Sequence, residues 1–252
     1  MNFMTALYKE FLEQRRTRKL LIALVILILF GMTSPLMAKM IPQIMTLVPG
    51  GEAYAGLIPD PTINDAVTQY IKNVTQFGVL LALVFSMGAM AVEKDKGTAA
   101  MILSKPMPRS SFLLAKFAAL ALTFIIAVAL AGVACYYYTY FLFGKLELLN
   151  WIILNGLILL YILMYVAITL LYSTLTRTQY VAIGLSFGTL IVLGILGGFP
   201  GIGGYFPDAL INNAAMLMGG YPVTNWTGLW VSFGLIVVSL TAAWLVFRKQ
   251  EL

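Results

Sequence analysis

Residues 93–116 read EKDKGTAAMILSKPMPRSSFLLAK and form a charged stretch between two long apolar segments. Only 10% of the chain is charged, yet this stretch contains seven charged residues: Glu93, Lys94, Asp95, Lys96, Lys105, Arg109 and Lys116. A short apolar run, Ala99 to Leu103, lies at its centre. Gly97 ends the preceding helix and Thr98 can act as the N-cap of the next one, while the prolines at 106 and 108 prevent that helix from continuing. The pattern predicts a helix of about two turns at the tip of a hairpin between two membrane spans.

Two interpretations of this short helix are open. Its apolar side can rest on lipid headgroups, as in many interfacial helices. It can also be buried by a partner protein, because an exposed apolar surface favours a docking partner.

The residue order of this stretch favours the second interpretation. A Glu-x-x-x-Gly-Thr motif, an apolar run, Pro-x-x-Arg and a downstream lysine resemble the cytoplasmic loop of type-2 ABC transporter permeases. The matching positions are Glu93, Gly97, Thr98, Pro106, Arg109 and Lys116. One departure is that the family usually has an acidic residue soon after Gly-Thr, where this chain has Ala99 and Ala100.

In that family the loop carries a coupling helix that sits in a cleft of the ATP-hydrolysing subunit. The resemblance therefore implies a set of ATPase-coupling residues here: Glu93, Gly97, Thr98, Met101, Ile102, Leu103, Pro106 and Arg109. It also implies that ATP and Mg are bound by the partner ATPase, so we expect no cofactor in this chain.

The composition assigns the chain to the integral membrane proteins, since 61% of its 252 residues are hydrophobic. Histidine is absent and Cys135 is the single cysteine, which excludes disulfides within the chain, Cys/His metal sites and histidine acid–base chemistry. The phosphate-loop motif of ATPases is absent as well. We expect no catalytic residues and no metal site in this chain, and any ATP hydrolysis takes place in another subunit.

Hydropathy predicts an all-α fold of six transmembrane helices. The spans are about 20–38, 74–92, 112–138, 151–173, 180–198 and 228–247. Residues 62–72 are a candidate for a short amphipathic helix of their own. The run GGFPGIGGYFP after span five breaks the helix, and the polar segment before span six predicts a re-entrant or surface element within 199–227.

Residues 1–19 are predicted to be a separate cytoplasmic amphipathic helix, with 20–252 as the permease domain. The apolar stripe of this helix contains Phe3, Met4, Leu7, Phe11 and Leu12, with Lys9, Glu10, Glu13 and Gln14 opposite. It resembles the elbow helix that precedes the first span in the same permease family. A cleaved signal peptide is the alternative, but the amphipathic segment is too long and regular for the n-region of one.

The charge distribution predicts the orientation. With a cytoplasmic N-terminus, the inner segments contain 13 of the 16 Lys and Arg residues, and only Lys39, Lys72 and Lys145 lie outside. We expect a multi-pass protein of the cell membrane with both termini in the cytoplasm. The basic balance is a topology signal, and we expect no nucleic-acid partner.

Span five carries two glycine pairs at four-residue spacing, Gly184/Gly188 and Gly194/Gly198. Such pairs let two helix backbones approach closely in lipid. They can pack within one subunit or form a dimer interface. The family resemblance favours the dimer, in which two six-span permease subunits, identical or paralogous, work with two ATPases.

Taken together, the sequence predicts the membrane half of an ATP-driven exporter. The apolar spans favour a hydrophobic or amphipathic substrate, such as a peptide, a lipid-like molecule or a drug. The alternative is a non-transporting immunity or sensor subunit built on the same frame.

Overall fold

A computed structural model of the chain describes residues 3–47, 60–97 and 108–250. Within these residues the regular structure is helical, and the prediction of an all-α protein is confirmed. The helices are α1 (Phe3–Arg16), α2 (Lys19–Thr46), α3 (Ile63–Met87), α4 (Ala91–Asp95), α5 (Arg109–Phe143), α6 (Leu148–Leu175), α7 (Gln179–Gly197), α8 (Ala209–Met218) and α9 (Thr227–Lys249), with a 3-10 turn at Gly203–Tyr205.

Six of the described helices are long and apolar enough to cross a membrane, which confirms the predicted six spans. They are α2, α3 with its extension α4, α5, α6, α7 and α9. The most apolar stretch of α6 is 61% buried within the chain, whereas that of α7 is only 11% buried. α6 therefore lies at the centre of the bundle, and α7 presents most of its surface outward.

The second span differs from the prediction in one respect. Residues 62–72 do not form a separate helix, because α3 runs without interruption from Ile63 to Met87. Its start is fixed by a capping interaction, in which the backbone N–H and the hydroxyl of Thr62 both donate to Asp65 Oδ2, at 2.8 and 2.7 Å. No proline interrupts this helix, and the single glycine at the junction of its polar and apolar halves, Gly78, does not break it, so the helix continues.

The first helix packs on the bundle through its polar side. The polar side chains of Glu10 and Gln14 are buried against the bundle, while Met4 is 72% exposed. The reason is non-local: α5 offers polar partners to α1, and the apolar side of α1 is left to face outward. The role of residues 1–19 as an elbow helix and the division of the chain at residue 19 stay predictions.

The element before the last span lies along α6. At its start Asp208 accepts a hydrogen bond of 2.5 Å from Tyr161 Oη, and near its end the Leu217 carbonyl accepts one from Asn150. Those two α6 residues are eleven positions apart, which corresponds to about 16 Å along a helix. The segment that contains α8 therefore lies beside the first half of α6, from Asn150 to Tyr161, as a re-entrant element would. Its depth in a bilayer stays a prediction.

Candidate functional site

A buried lysine lies at the centre of the charged residues at the α1 end of the bundle. Lys116 belongs to the second turn of α5, and its side chain is only 4% exposed. Its Nζ lies 3.0 Å from Glu10 Oε2 of α1 and 2.8 Å from Glu93 Oε1 of α4. One ammonium group thus joins three separate helices, and we call these three residues the Lys116 triad.

Because the Lys116 ammonium is buried, it requires carboxylate partners. A buried charge is costly unless it is paired and hydrogen-bonded. Lys9 adds a second cation, 3.1 Å from Glu10 and 3.8 Å from Glu93. Burial alone would raise the pKa of Glu10, but the attraction of Lys116 and Lys9 outweighs it and holds that pKa below its ordinary value.

A further contact joins α1 to α5 one turn along. The hydroxyl of Thr123 donates a short hydrogen bond to the side-chain oxygen of Gln14, and both residues are buried. The face of α1 that packs on α5 is therefore fixed by polar contacts on two successive turns, which explains why the polar side of this helix faces the bundle.

The carboxylates of Glu10, Glu13 and Glu93 approach one another within 4.8 Å, a grouping that could in principle hold a metal ion. The ammonium groups of Lys116 and Lys9 already lie against these oxygens. A divalent cation would have to displace or repel both of them, so the lysines are the counter-ions of this cluster.

Lys94 connects the start of the charged loop to the end of α6. Its Nζ donates to the carbonyl oxygens of Thr174 and Thr176, at 2.6 and 2.7 Å. The last carbonyls of a helix have no partner within the helix, and a cation is favourable there. At the start of α4, the backbone N–H groups of Met90 and Ala91 both donate to Ser173 Oγ at 3.0 Å, so this segment contacts α6 twice.

Arg109 connects the other end of the loop to the end of α9. Its guanidinium donates to the carbonyls of Phe247, Arg248 and Gln250, at 2.7, 3.0 and 2.9 Å. Arg109 is the first residue of α5, where the dipole of its own helix disfavours a cation. The carbonyl end of α9 supplies the compensating negative charge.

The two connections also contact each other. The side-chain amide of Gln250 donates to the Thr174 carbonyl at 3.0 Å, so the ends of α6 and α9 meet at this point. The side chains of Glu93, Lys94 and Arg109 therefore contact α1, α6 and α9, and the groups that they contact lie 80 or more positions away in the sequence. We call this set of contacts the loop base.

The predicted coupling residues divide into two groups. Glu93 and Arg109 lie in the loop base, and Gly97 ends the turn after α4 with a φ of +65°, which favours glycine. The others lie outside the described residues: Thr98, Met101, Ile102, Leu103 and Pro106. Sequence reasoning included Lys116 in the motif but did not identify Glu10 as its ion-pair partner. It also did not identify the contact of Lys94 with the end of α6. The available signal was that a lysine close to an apolar span needs a counter-ion.

The glycines of α7 also divide into two groups. A Cβ at Gly184 or Gly188 would meet nothing within 4 Å, so this part of the helix face is open. A Cβ at Gly194 would lie 3.9 Å from the Asp208 carboxylate, and a Cβ at Gly198 would approach only carbonyls at the end of its own helix. A Cβ at Gly197, a glycine that the sequence analysis did not select, would clash with the side chain of Asp208.

Two comparisons with known proteins bear on this arrangement. Residues 4–206 match the profile of a family described as ABC-2 family transporter protein. The chain is also similar to YxlG of Bacillus subtilis strain 168, described as an uncharacterized transmembrane protein. The two are 24% identical over 257 residues, which cover 98% of this chain and 97% of that protein.

Proposed function

Since this chain belongs to the ABC-2 family of transporter proteins, we propose that it is the membrane-spanning subunit of an ATP-driven exporter, powered through residues 97–104. The family assignment confirms the resemblance to type-2 ABC permeases. It makes the chain a membrane transport subunit that is not itself catalytic, and it implies an ABC ATPase as partner. In the proposed complex that ATPase, in two copies, binds the ATP and Mg.

The observation that carries the proposal is the loop base. Residues on both sides of the proposed coupling segment contact other helices through buried or half-buried charged groups, namely Glu93, Lys94 and Arg109. A loop that served only to connect two spans would not require them. The proposed push of the ATPase on residues 98–103 would therefore act on α1, α6 and α9 together, and not on α3 and α5 alone.

The coupling step is tested with the purified complex of the chain and its ABC ATPase. The double variant Met101→Asp/Ile102→Asp places unpaired charges in the proposed contact, at a cost of several kcal/mol. We expect loss of the ATPase or of substrate-stimulated hydrolysis. Lys96→Asp is the control, because it changes charge at an exposed position of the same loop. If the double variant holds its ATPase and keeps stimulated hydrolysis, the proposed contact is wrong.

A second copy of the permease, identical or paralogous, is the proposed partner within the membrane. The support is the open face of α7, where Gly184 and Gly188 lie among exposed apolar side chains such as Leu185 and Val181. Small residues on an exposed helix face favour close helix packing in lipid. We propose this stretch as the centre of the dimer interface, with Gly194 and Gly198 at its outer end.

The proposed substrate is hydrophobic or amphipathic. The exposed faces of the spans are largely apolar, and Lys116, a charge inside a span helix, is paired within the chain. A path between two such surfaces would offer little to replace the hydration of a small ion or a sugar. We expect hydrolysis by the reconstituted complex to rise with amphipathic peptides or lipophilic drugs. Stimulation only by sodium, a sugar or a free amino acid would refute this substrate class, and no stimulation at all would favour a sensor or immunity subunit.

We propose that the loop base faces the cytoplasm and that both termini lie on that side of the cell membrane. The clustering of basic residues at the α1 end supports this orientation. In a Cys135→Ala background, a cysteine at position 56 should be labelled from outside, and one at position 96 only after permeabilisation. Labelling of position 96 in intact cells would contradict the orientation.

A further inference from the structure

We propose that a cleft beside α1 binds the phosphoethanolamine headgroup of a membrane phospholipid. The cleft has a volume of about 260 Å³ and is lined by α1, the first residue of α2 and the last turn of α3, with Glu93 and Lys116 of the triad also at its wall. A single water needs only about 10–15 Å³ of such space, so the cleft can hold a small polar headgroup.

One wall of the cleft offers an ammonium group to a phosphate. Lys19 is the first residue of α2, and its Nζ donates to the Phe85 carbonyl at 3.1 Å. That carbonyl is the single hydrogen-bond acceptor that Lys19 meets within the described part of the chain. An ammonium group has three N–H donors, so two remain for phosphate oxygens.

The wall formed by α1 offers a carboxylate to an amine. Glu10 and Glu93 are both occupied by Lys116, whereas the side chain of Glu13 is 50% exposed and its nearest cation, Lys9, lies 4.0 Å away. A primary ammonium can donate hydrogen bonds to Glu13. A choline headgroup has no N–H to donate, and an anionic headgroup without an amine would bring its charge close to this carboxylate.

The cleft is also placed to receive a lipid. Val84 lines it and is 46% exposed, and Leu80, one turn away on α3, is 39% exposed. An acyl chain can lie along these two side chains while the headgroup occupies the polar cleft. Lys19 and Glu13 both line the cleft, so it offers ammonium donors to a phosphate and a carboxylate acceptor to a primary amine.

The test uses the full-length chain in nanodiscs that contain phosphatidylethanolamine, phosphatidylcholine and phosphatidylglycerol in equal amounts. Native mass spectrometry then counts the lipid that each released chain retains. We expect phosphatidylethanolamine to be retained over phosphatidylcholine by roughly tenfold, the value of one charge-assisted hydrogen bond at the low end of its range. Lys19→Gln and Glu13→Gln should each remove most of this preference, and Lys19→Arg should keep it.

Lys39→Gln is the matched control, because Lys39 donates to a backbone carbonyl, that of Leu142, near the other end of α2. It should leave the preference unchanged. Free phosphoethanolamine should displace the bound lipid, and free phosphocholine should not. Equal retention of the three lipids, tighter retention of phosphatidylglycerol, or an equal loss in Lys39→Gln would overturn the proposal. The experiment needs no ATPase, so its outcome is independent of the proposed function.

Discussion

Replacement of Lys116 by methionine tests whether the triad holds α1, α4 and α5 together. Methionine has a similar length and suits an apolar site, so the change removes the charge with little change of volume. The carboxylates of Glu10 and Glu93, both within 3.0 Å of the ammonium, then lose their shared partner. They would repel each other in a site that is largely buried.

The expected loss follows from the burial of the three groups. Removal of one partner from a buried ion pair costs about 3–5 kcal/mol, because it leaves an uncompensated charge. Lys9 lies 3.1 Å from Glu10 and its side chain is 41% exposed, so it compensates in part. We therefore expect the free energy of unfolding to fall by about 3 kcal/mol, a large share of the roughly 5–15 kcal/mol that stabilise a typical domain.

The assay is reversible unfolding of the purified chain in mixed micelles, followed by tryptophan fluorescence. Lys72→Met is the control, since it removes an exposed lysine from α3 and should change stability by less than about 0.5 kcal/mol. A triple variant with Lys116→Met, Glu10→Gln and Glu93→Gln should recover most of the loss. If Lys116→Met is as stable as Lys72→Met, the triad does not stabilise the fold and the reasoning is refuted.

The pH dependence has a definite sign. The pKa of Glu10 is lowered in the folded chain, so its contribution is present at pH values above its ordinary pKa of 4.5 and is lost as the pH falls through the lowered value. Wild type should therefore lose this stabilisation progressively as the pH falls below 4.5. The stability difference between wild type and Lys116→Met should shrink as the carboxylates become protonated.

Two further predictions concern the ends of α9 and α7. Arg109→Gln removes the cation at the end of α9 and should speed amide hydrogen exchange in the last turn of that helix by about tenfold or more, since charge-assisted bonds are worth about 1.5–3 kcal/mol. The control, Arg248→Gln, changes a side chain on the helix itself and should not speed this exchange. Equal exchange rates in both variants would contradict the role of Arg109. Gly188→Leu should abolish dimer formation in micelles without lowering the stability of the monomer, since a Cβ there meets nothing within 4 Å. Gly197→Leu should destabilise the monomer, because its side chain would collide with Asp208; a Gly188→Leu chain that still dimerises would exclude the proposed interface.

The parts of the fold that depend on local composition could be predicted from the sequence. Six apolar runs give six spans, and the glycines and prolines between 197 and 207 end α7 where a break was expected. The orientation of α1 could not be predicted this way. Helical periodicity correctly separates an apolar from a polar side, but which side faces the bundle depends on Lys116 and Thr123, more than 100 residues later in the chain.

The candidate site shows the same division. Glu93, Gly97 and Arg109 were identified by the spacing of a motif, yet their partners are backbone carbonyls and side chains on distant helices. Backbone acceptors leave no mark on a sequence, because every residue carries a carbonyl. The contacts of Lys94 and Arg109 with the ends of α6 and α9 therefore required coordinates.

The contact of Arg109 with the end of α9 also has a consequence for synthesis of the protein. Chains are made from the N-terminus, and the carbonyls that bind Arg109 belong to residues 247–250, which are made long after α1, α4 and α5. α1, α4 and α5 can assemble around Lys116 while the ribosome is still at work, but the second side of the loop base stays open until α9 has been inserted. A chain that stops before α9 would expose an unfinished loop base, which a quality-control protease could distinguish from that of a complete subunit.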